Sequence, residues 1–135
     1  MDGFGLYLDK ICMKDHESIH HYAAQLEGAK ESFPFGEETL VFKIKDKMFL
    51  LLALDVNPPH INVKCDPEKA KQLREDFLVV QPGYHMNKKH WNTVICDGSV
   101  PDSMVKEWIR ESYELVAGPA VKKKSVKKKG KKKKA

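Results

Sequence analysis

Residues Thr39–Asp55 read TLVFKIKDKMFLLLALD. Over Thr39–Lys45 the side chains alternate, with Leu40, Phe42 and Ile44 on one side and Val41, Lys43 and Lys45 on the other, which predicts a half-buried strand. Asp46-Lys47 supplies a short turn, and Met48–Asp55 is apolar enough for a second strand, so the pair predicts a β-hairpin. Downstream, Asn57-Pro58-Pro59 breaks the chain, and His60–Cys65 predicts a third strand with Ile61, Val63 and Cys65 on one face. Asp66-Pro67-Glu68 opens a helix, because Asp66 can accept from free backbone N–H groups, Pro67 suits the first helical position and Glu68 suits the positive helix end. That helix runs to about Asp76 or Phe77. Val79–Gly83 reads as a connection, and Trp91–Cys96 as a fourth strand closed by Asp97-Gly98. Upstream, Ile19, Tyr22, Ala23 and Leu26 recur at helical spacing over His16–Leu26, with Gly28 as a stop and Ser32–Gly36 as a loop with aromatic anchors. Pro101 and Asp102 open a last helix with a face of Val105, Trp108, Ile109, Ser112, Leu115 and Val116, ended by Gly118-Pro119. The order helix, three strands, helix, strand, helix predicts an α+β domain in which helices pack one face of an antiparallel sheet.

The net charge of +5 conceals two materials. Ten of the 24 basic residues lie between Lys122 and Lys134, which leaves 14 basic against 19 acidic groups in residues 1–118, a charge of −5. Residues 1–15 read as an N-terminal arm, 16–118 as one domain, and 119–135 as a disordered Lys-rich tail that buries too little surface to offset chain entropy. The longest apolar run, Met48–Leu54, is far shorter than the roughly 20 residues of a membrane-spanning helix. Met1–Lys10 shows no secretory pattern, and Cys12, Cys65 and Cys96 are odd in number and widely spaced. The expectation is a cytoplasmic protein with reduced thiols.

The densest polar segment is Pro82–Thr93. Lys88 and Lys89 can hold phosphates, while Tyr84, Trp91, Asn87 and Asn92 can stack on or hydrogen-bond to bases, with His85 and His90 between them. Lys43, Lys45, Lys47 and Lys64 on the preceding strands can extend a basic surface. A plainer reading of the same residues is a solvated loop and sheet face, with Trp91 in the core. His16-Glu17-Ser18-Ile19-His20 matches the spacing of a zinc-binding helix, but no third ligand stands out, so no metal site is assigned. There is no nucleophile elbow, phosphate-binding loop or dinucleotide fingerprint, and Cys65 reads as a core thiol. The lysine tail predicts salt-sensitive binding to DNA or RNA, since each lysine meeting a phosphate releases counterions. An anionic membrane or no partner at all are the rival readings of the tail; no lipidation motif or amphipathic anchor accompanies it.

Phe33-Pro34-Phe35-Gly36, Leu40-Val41-Phe42-Lys43, Asn62–Pro67, Pro82–Thr93 and Ser112–Val116, in this order, resemble the MmcQ/YjbR family over about residues 17–117. The resemblance implies a bacterial, cytoplasmic protein with a CyaY-like (frataxin-like) α+β fold that binds DNA through a double-wing arrangement of β-hairpins. It implies no catalytic residue and no cofactor. The expected function is therefore non-enzymatic DNA binding through Lys43, Lys45, Lys47, Lys64, Tyr84, His85, Asn87, Lys88, Lys89, His90 and Asn92, aided by the tail. The alternative is a ligand- or protein-binding module in which Tyr84–Trp91 lines a pocket with Phe33 and Phe35.

Overall fold

A computed structural model describes residues 14–84 and 86–118. The predicted hairpin lies at the heart of a six-stranded antiparallel sheet, ordered β1-β2-β3-β4-β6-β5. The strands are β1 (Lys30–Ser32), β2 (Thr39–Ile44), β3 (Lys47–Ala53), β4 (His60–Lys64), β5 (Val80–Pro82) and β6 (Trp91–Ile95). Helices α1 (His16–Ala24), α2 (Pro67–Asp76) and α3 (Asp102–Ala117) complete the domain. The α+β class and the four long strands follow the sequence reading. The two edge strands do not: β1 falls after the predicted first helix, and β5 falls within the predicted Val79–Gly83 connection. Each has three residues, too few to establish a period, and each is specified by its partner rather than by its own pattern. Pro82, which has no N–H to give a ladder, is tolerated because β5 is an edge.

The helix starts behave as their residues dictate. Asp15 accepts from the Ser18 N–H at 2.8 Å and caps α1. Asp66 accepts from the N–H groups of Glu68 and Lys69 at 3.1 and 3.4 Å, with Pro67 at the first position of α2. The chain leaves α1 through Gly28, whose φ of 81° is left-handed and whose absent side chain makes room for Ile44: a Cβ there would stand 2.7 Å from Ile44 Cδ1.

The hairpin turn is displaced by one residue from its predicted place. Lys45 and Asp46, not Asp46 and Lys47, form it, with φ of 55° and 67°, the two positive values of the turn that matches strand twist. A register shift between Phe42 and Lys43 interrupts the alternation just before it. Lys47 therefore begins β3, and Lys45 leaves the strand face it was expected to share with Lys43.

One face of the sheet carries all three helices. Ile19 and Ala23 of α1, Leu40, Phe42, Phe49, Leu50, Leu52, Ile61, Val63 and Val94 of the sheet, and Val105, Trp108, Ile109 and Tyr113 of α3 form one buried cluster, with Leu73 of α2 packed against it. Full burial of side chains such as Phe42, Phe49 and Ile109 contributes about 1.5–3 kcal/mol each. Phe49 packs edge-on against Tyr113 at 5.3 Å, and Phe77 against Trp108 at 5.5 Å. The buried stripe of α3 runs through Tyr113 and Ala117, whereas Leu115, predicted to face the core, is 43% exposed. A smaller cluster of Val41, Leu51 and Trp91, with Met48 and Met86, forms apart from this core. Trp91 is thus a packing residue, as the plainer sequence reading held.

Ser112 is fully buried in the middle of the α3 stripe, for a polar reason. The β3–β4 ladder runs from Ala53↔His60 to Leu50↔Val63 and stops there. At the next position the Ser112 hydroxyl accepts from the Lys64 N–H at 2.8 Å and donates to the Phe49 carbonyl, so one side chain satisfies both strands and ties them to α3. Ser112→Ala is expected to lower stability by about 1–3 kcal/mol, because two buried backbone groups lose their partner. Thermal and denaturant unfolding check this; a loss below about 0.5 kcal/mol, the level of an ordinary surface change, would contradict it.

Candidate nucleic-acid interface

Strand register gathers most of the predicted basic residues at one end of the sheet. Lys43 on β2 stands opposite Lys30 on β1 and Met48 on β3, and Ile44 stands opposite Lys47. Lys64 closes β4 opposite Trp91, the first residue of β6, and the Gly83–His90 loop enters at that point. Lys30, Lys47 and Lys89 are exposed, and Lys43 and Lys64 are half-buried. Among the described residues, the ammonium groups of Lys43, Lys47, Lys64 and Lys89 carry no ion pair or side-chain hydrogen bond. Lys30 was not anticipated; its place beside Lys43 depends on β1, which the local pattern does not reveal. Lys45 is employed differently: its Nζ donates at 2.8 Å to the carbonyl of Ala117, the last residue of α3. A cation there also suits the negative end of a helix that has no basic residue in its own last turn.

The Gly83–His90 loop is held to the domain by its polar groups. Gly83 gives its N–H to the Trp91 carbonyl at 2.9 Å and lies so close that a Cβ would stand 2.8 Å from the Trp91 Cβ. The Tyr84 N–H donates to Thr93 Oγ1 at 2.8 Å, and the Thr93 hydroxyl donates to Asn62. Asn87 is exposed, but its side-chain oxygen accepts from the Lys89 N–H at 2.9 Å, and its carbonyl accepts from the N–H groups of His90 and Trp91. Lys88 Nζ donates to the Gly83 carbonyl at 2.8 Å, bracing the loop across its base. The His90 carbonyl accepts from the Cys65 N–H at 2.7 Å, and the His90 side chain is half-buried. Tyr84 is 69% exposed, the one large exposed aromatic at this end among the described residues. His85 lies outside the described residues, as do the predicted arm up to residue 13 and the tail from residue 119.

Asn92 corrects an expectation. It is 1% exposed, its amide N–H donates to the Ala70 carbonyl of α2 at 3.2 Å, and its oxygen accepts from Arg74 Nη1 at 2.8 Å. Arg74 also donates to the Lys88 carbonyl at 3.1 Å. Both ends of Asn92 are engaged in joining β6 to α2, and its burial keeps it from being presented to a base. The pocket of the alternative reading does not assemble either. Phe33 and Phe35, 51% and 62% exposed, sit in the connection between β1 and β2, at the other end and the far edge of the sheet from Tyr84. A recess of about 10 Å³ lies between β4, β6 and the helices, lined by Lys64, Cys65, Asn92, Trp108 and Glu111 among others, with room for about one water.

The remaining chemical groups are structural in their contacts. His16 Nε2 meets the Val56 carbonyl and His20 Nε2 meets Glu31, each at 2.9 Å, and among the described residues no group of three His, Cys, Asp or Glu could hold a metal ion. Glu111 is raised from the ordinary carboxylate value by burial, against the pull of Lys69 at 2.7 Å. Burial pushes the Cys65 thiol up to about 11 and the Cys96 thiol up to about 12, from an ordinary value of 9.0. Raised folded-state values favour the fold while the thiols are protonated. Their contribution is therefore complete below about pH 9, where unfolded thiols ionise, and declines as pH rises towards the folded values.

Two outcomes are expected. In a Cys12→Ser background, a thiol-reactive disulfide reagent at pH 8 should label Cys65 and Cys96 only as fast as the domain opens, and rapid labelling of the native protein would contradict this. Asn92→Ala should cost about 1–3 kcal/mol and speed tryptic cleavage after Lys88 or Lys89, because Arg74 loses one of the two acceptors that hold its guanidinium against the Lys88 carbonyl. Unchanged unfolding and cleavage rates would refute the latch.

The YjbR family model matches residues 24–115. The uncharacterized protein YbdF of Escherichia coli O157:H7 is 37% identical over 101 residues, covering 75% of this chain and 83% of YbdF. The uncharacterized protein YjbR of Escherichia coli K12 is 34% identical over 93 residues, covering 69% and 79% of the two chains. A crystal structure of a Deinococcus radiodurans protein is similar with a TM-score of 0.73 at 37% identity, over 90% of this chain and 84% of that one. A Pseudomonas syringae crystal structure gives a TM-score of 0.66 at 27% identity, over 76% and 98%. All four relatives are bacterial, and the matched span runs from the end of α1 nearly to the end of α3, through every strand and the Gly83–His90 loop. The chain belongs to the MmcQ/YjbR family.

Proposed function

We propose that this protein binds DNA without catalysing a reaction on it, holding the phosphate backbone with one end of its sheet and with its Lys-rich C-terminal segment. The observation that carries the reading is the gathering of Lys30, Lys43, Lys47, Lys64 and Lys89 at the sheet end where α3 also finishes, from which the chain runs on towards ten further lysines. Free ammonium groups near one another suit the regularly spaced charges of a nucleic-acid backbone, and RNA offers the same backbone chemistry. Asn87 and Tyr84 lie at the same end, where an amide and an exposed aromatic can supplement phosphate contacts.

The charge of −5 over residues 1–118 requires that binding come from this local face and from the tail rather than from a general positive field. In the same reading the fold is CyaY-like (frataxin-like), the β2–β3 and β5–β6 hairpins act as the two wings, and the protein works in the cytoplasm. No helix among the described residues is long and apolar enough to cross a membrane.

The test is DNA binding as a function of salt, for the full chain and for residues 1–118. The full chain should lose affinity steeply as salt rises, with a slope of about 0.9 per phosphate neutralised, and removal of residues 119–135 should flatten the slope. The truncated body should keep weak binding at low salt, further reduced by Lys43→Ala with Lys89→Ala. Absence of binding by the body at low salt would remove the domain from the reading, and absence of binding by the full chain would end it.

A further inference from the structure

The Phe33-Pro34-Phe35-Gly36 motif serves neither the core nor the basic end of the sheet. Two successive turns, in which the Gly36 N–H donates to the Phe33 carbonyl at 3.3 Å and the Thr39 N–H to the Gly36 carbonyl at 3.4 Å, hold it outside both apolar clusters. Phe33 and Phe35 are exposed, and Leu54, whose N–H donates to the Glu38 carbonyl at 2.8 Å, adds a third exposed apolar side chain at the same end. The charge here is of one sign. Residues 31–42 and 48–63 contain no lysine or arginine, and their acidic residues are Glu31, Glu37, Glu38 and Asp55. Glu31 meets His20, whereas Glu37, Glu38 and Asp55 are exposed and, among the described residues, carry no ion pair. Lys14 also reaches this end, but its stem passes against Gly98, next to Asp97. The β2–β3 hairpin is therefore polarised along its length, with Lys43, Lys45 and Lys47 at its turn and acidic and aromatic residues at its open end.

We infer that copies of this protein associate head to tail, the acidic, aromatic end of one sheet seated on the basic end of the next. The cationic surface that complements Glu37, Glu38 and Asp55 is the chain's own. Lys30, Lys47 and Lys89 are exposed there, and half-buried Met48 and Met86 accompany Lys47 and Lys89 on the hairpin and the loop. Lysine ammonium groups attract aromatic faces as well as carboxylates, and methionine side chains adapt to a ring pressed against them. Strand β2 alone spans about 20 Å, so the two ends cannot meet within one copy. The two surfaces differ, so the contact is heterologous, and each copy added presents a fresh end of each kind. The lysines involved are those that the nucleic-acid reading assigns to phosphates, so self-association and nucleic-acid binding exclude each other at this end.

Sedimentation velocity of the full chain tests this. At about 30 mM salt the sedimentation coefficient should rise between about 10 μM and about 300 μM protein, and at about 500 mM salt it should not, because the charge attraction is screened. Glu37→Lys with Glu38→Lys, or Lys47→Glu with Lys89→Glu, should each weaken association by about 10-fold or more, and an equimolar mixture of the two variants should restore it. All four positions are exposed, and circular dichroism establishes that each variant is folded. Phe33→Ser with Phe35→Ser should weaken association by about 5-fold or more without altering the charge of either end. A sedimentation coefficient independent of concentration at low salt would overturn the inference. So would a mixture no better associated than its components. Undiminished association of the Lys47→Glu, Lys89→Glu variant would also overturn it, by assigning the cation to the Lys-rich segment instead.

Discussion

The domain is organised by the need to satisfy two backbone groups where β3 and β4 part company. At Phe49 and Lys64 the ladder ends, and the Ser112 hydroxyl replaces the missing partner on both sides. A single oxygen, fully buried, thereby ties α3 to both strands at one point of its apolar stripe. The neighbouring Tyr113 hydroxyl donates to the Glu27 carbonyl, which brings the end of α1 to the same helix. Once α3 is placed, Trp108 meets Phe77, Tyr113 meets Phe49, and Ala117 arrives at the hairpin tip within reach of Lys45. Buried hydrogen bonds in an apolar setting act in this way because the cost of leaving them unmade exceeds their net gain when made.

Basic residues in this protein divide by what they touch. Lys69 pairs with Glu111, Arg74 holds Asn92 and the Lys88 carbonyl, Lys88 braces its own loop, and Lys45 caps α3. These four serve the architecture first. Lys43, Lys47, Lys64 and Lys89 have ammonium groups uncommitted to ion pairs or hydrogen bonds among the described residues, and they share one end of the sheet. Position along the chain does not separate the two groups, since Lys88 and Lys89 are adjacent and Lys43 and Lys45 are two residues apart.

The family motifs have a physical content that the geometry supplies. In the Pro82–Thr93 segment, Gly83 permits close approach to Trp91, Thr93 receives the Tyr84 N–H, Trp91 packs with Val41 and Leu51, and Asn92 joins β6 to α2. Much of what reads as a polar binding loop is therefore the fastening of that loop. In Ser112–Val116 the residue that counts most is the serine, which looks in sequence like a gap in an apolar stripe.

The sequence by itself determined the α+β class, the central hairpin, the fourth and sixth strands, the three helix starts, the division of charge between body and tail, and the family. Each of these depends on the local order of residues: period along a strand, a capping side chain beside free N–H groups, a run of like charge. Only the tertiary structure decided the two short edge strands, the exact turn residues, the burial of Asn92, and which lysines are free. Those features are set by partners distant in the chain, 63 residues for Ser112 and Phe49 and 72 for Lys45 and Ala117. A local pattern specifies which face a side chain takes, but the group that satisfies its hydrogen bonds is chosen when the elements pack.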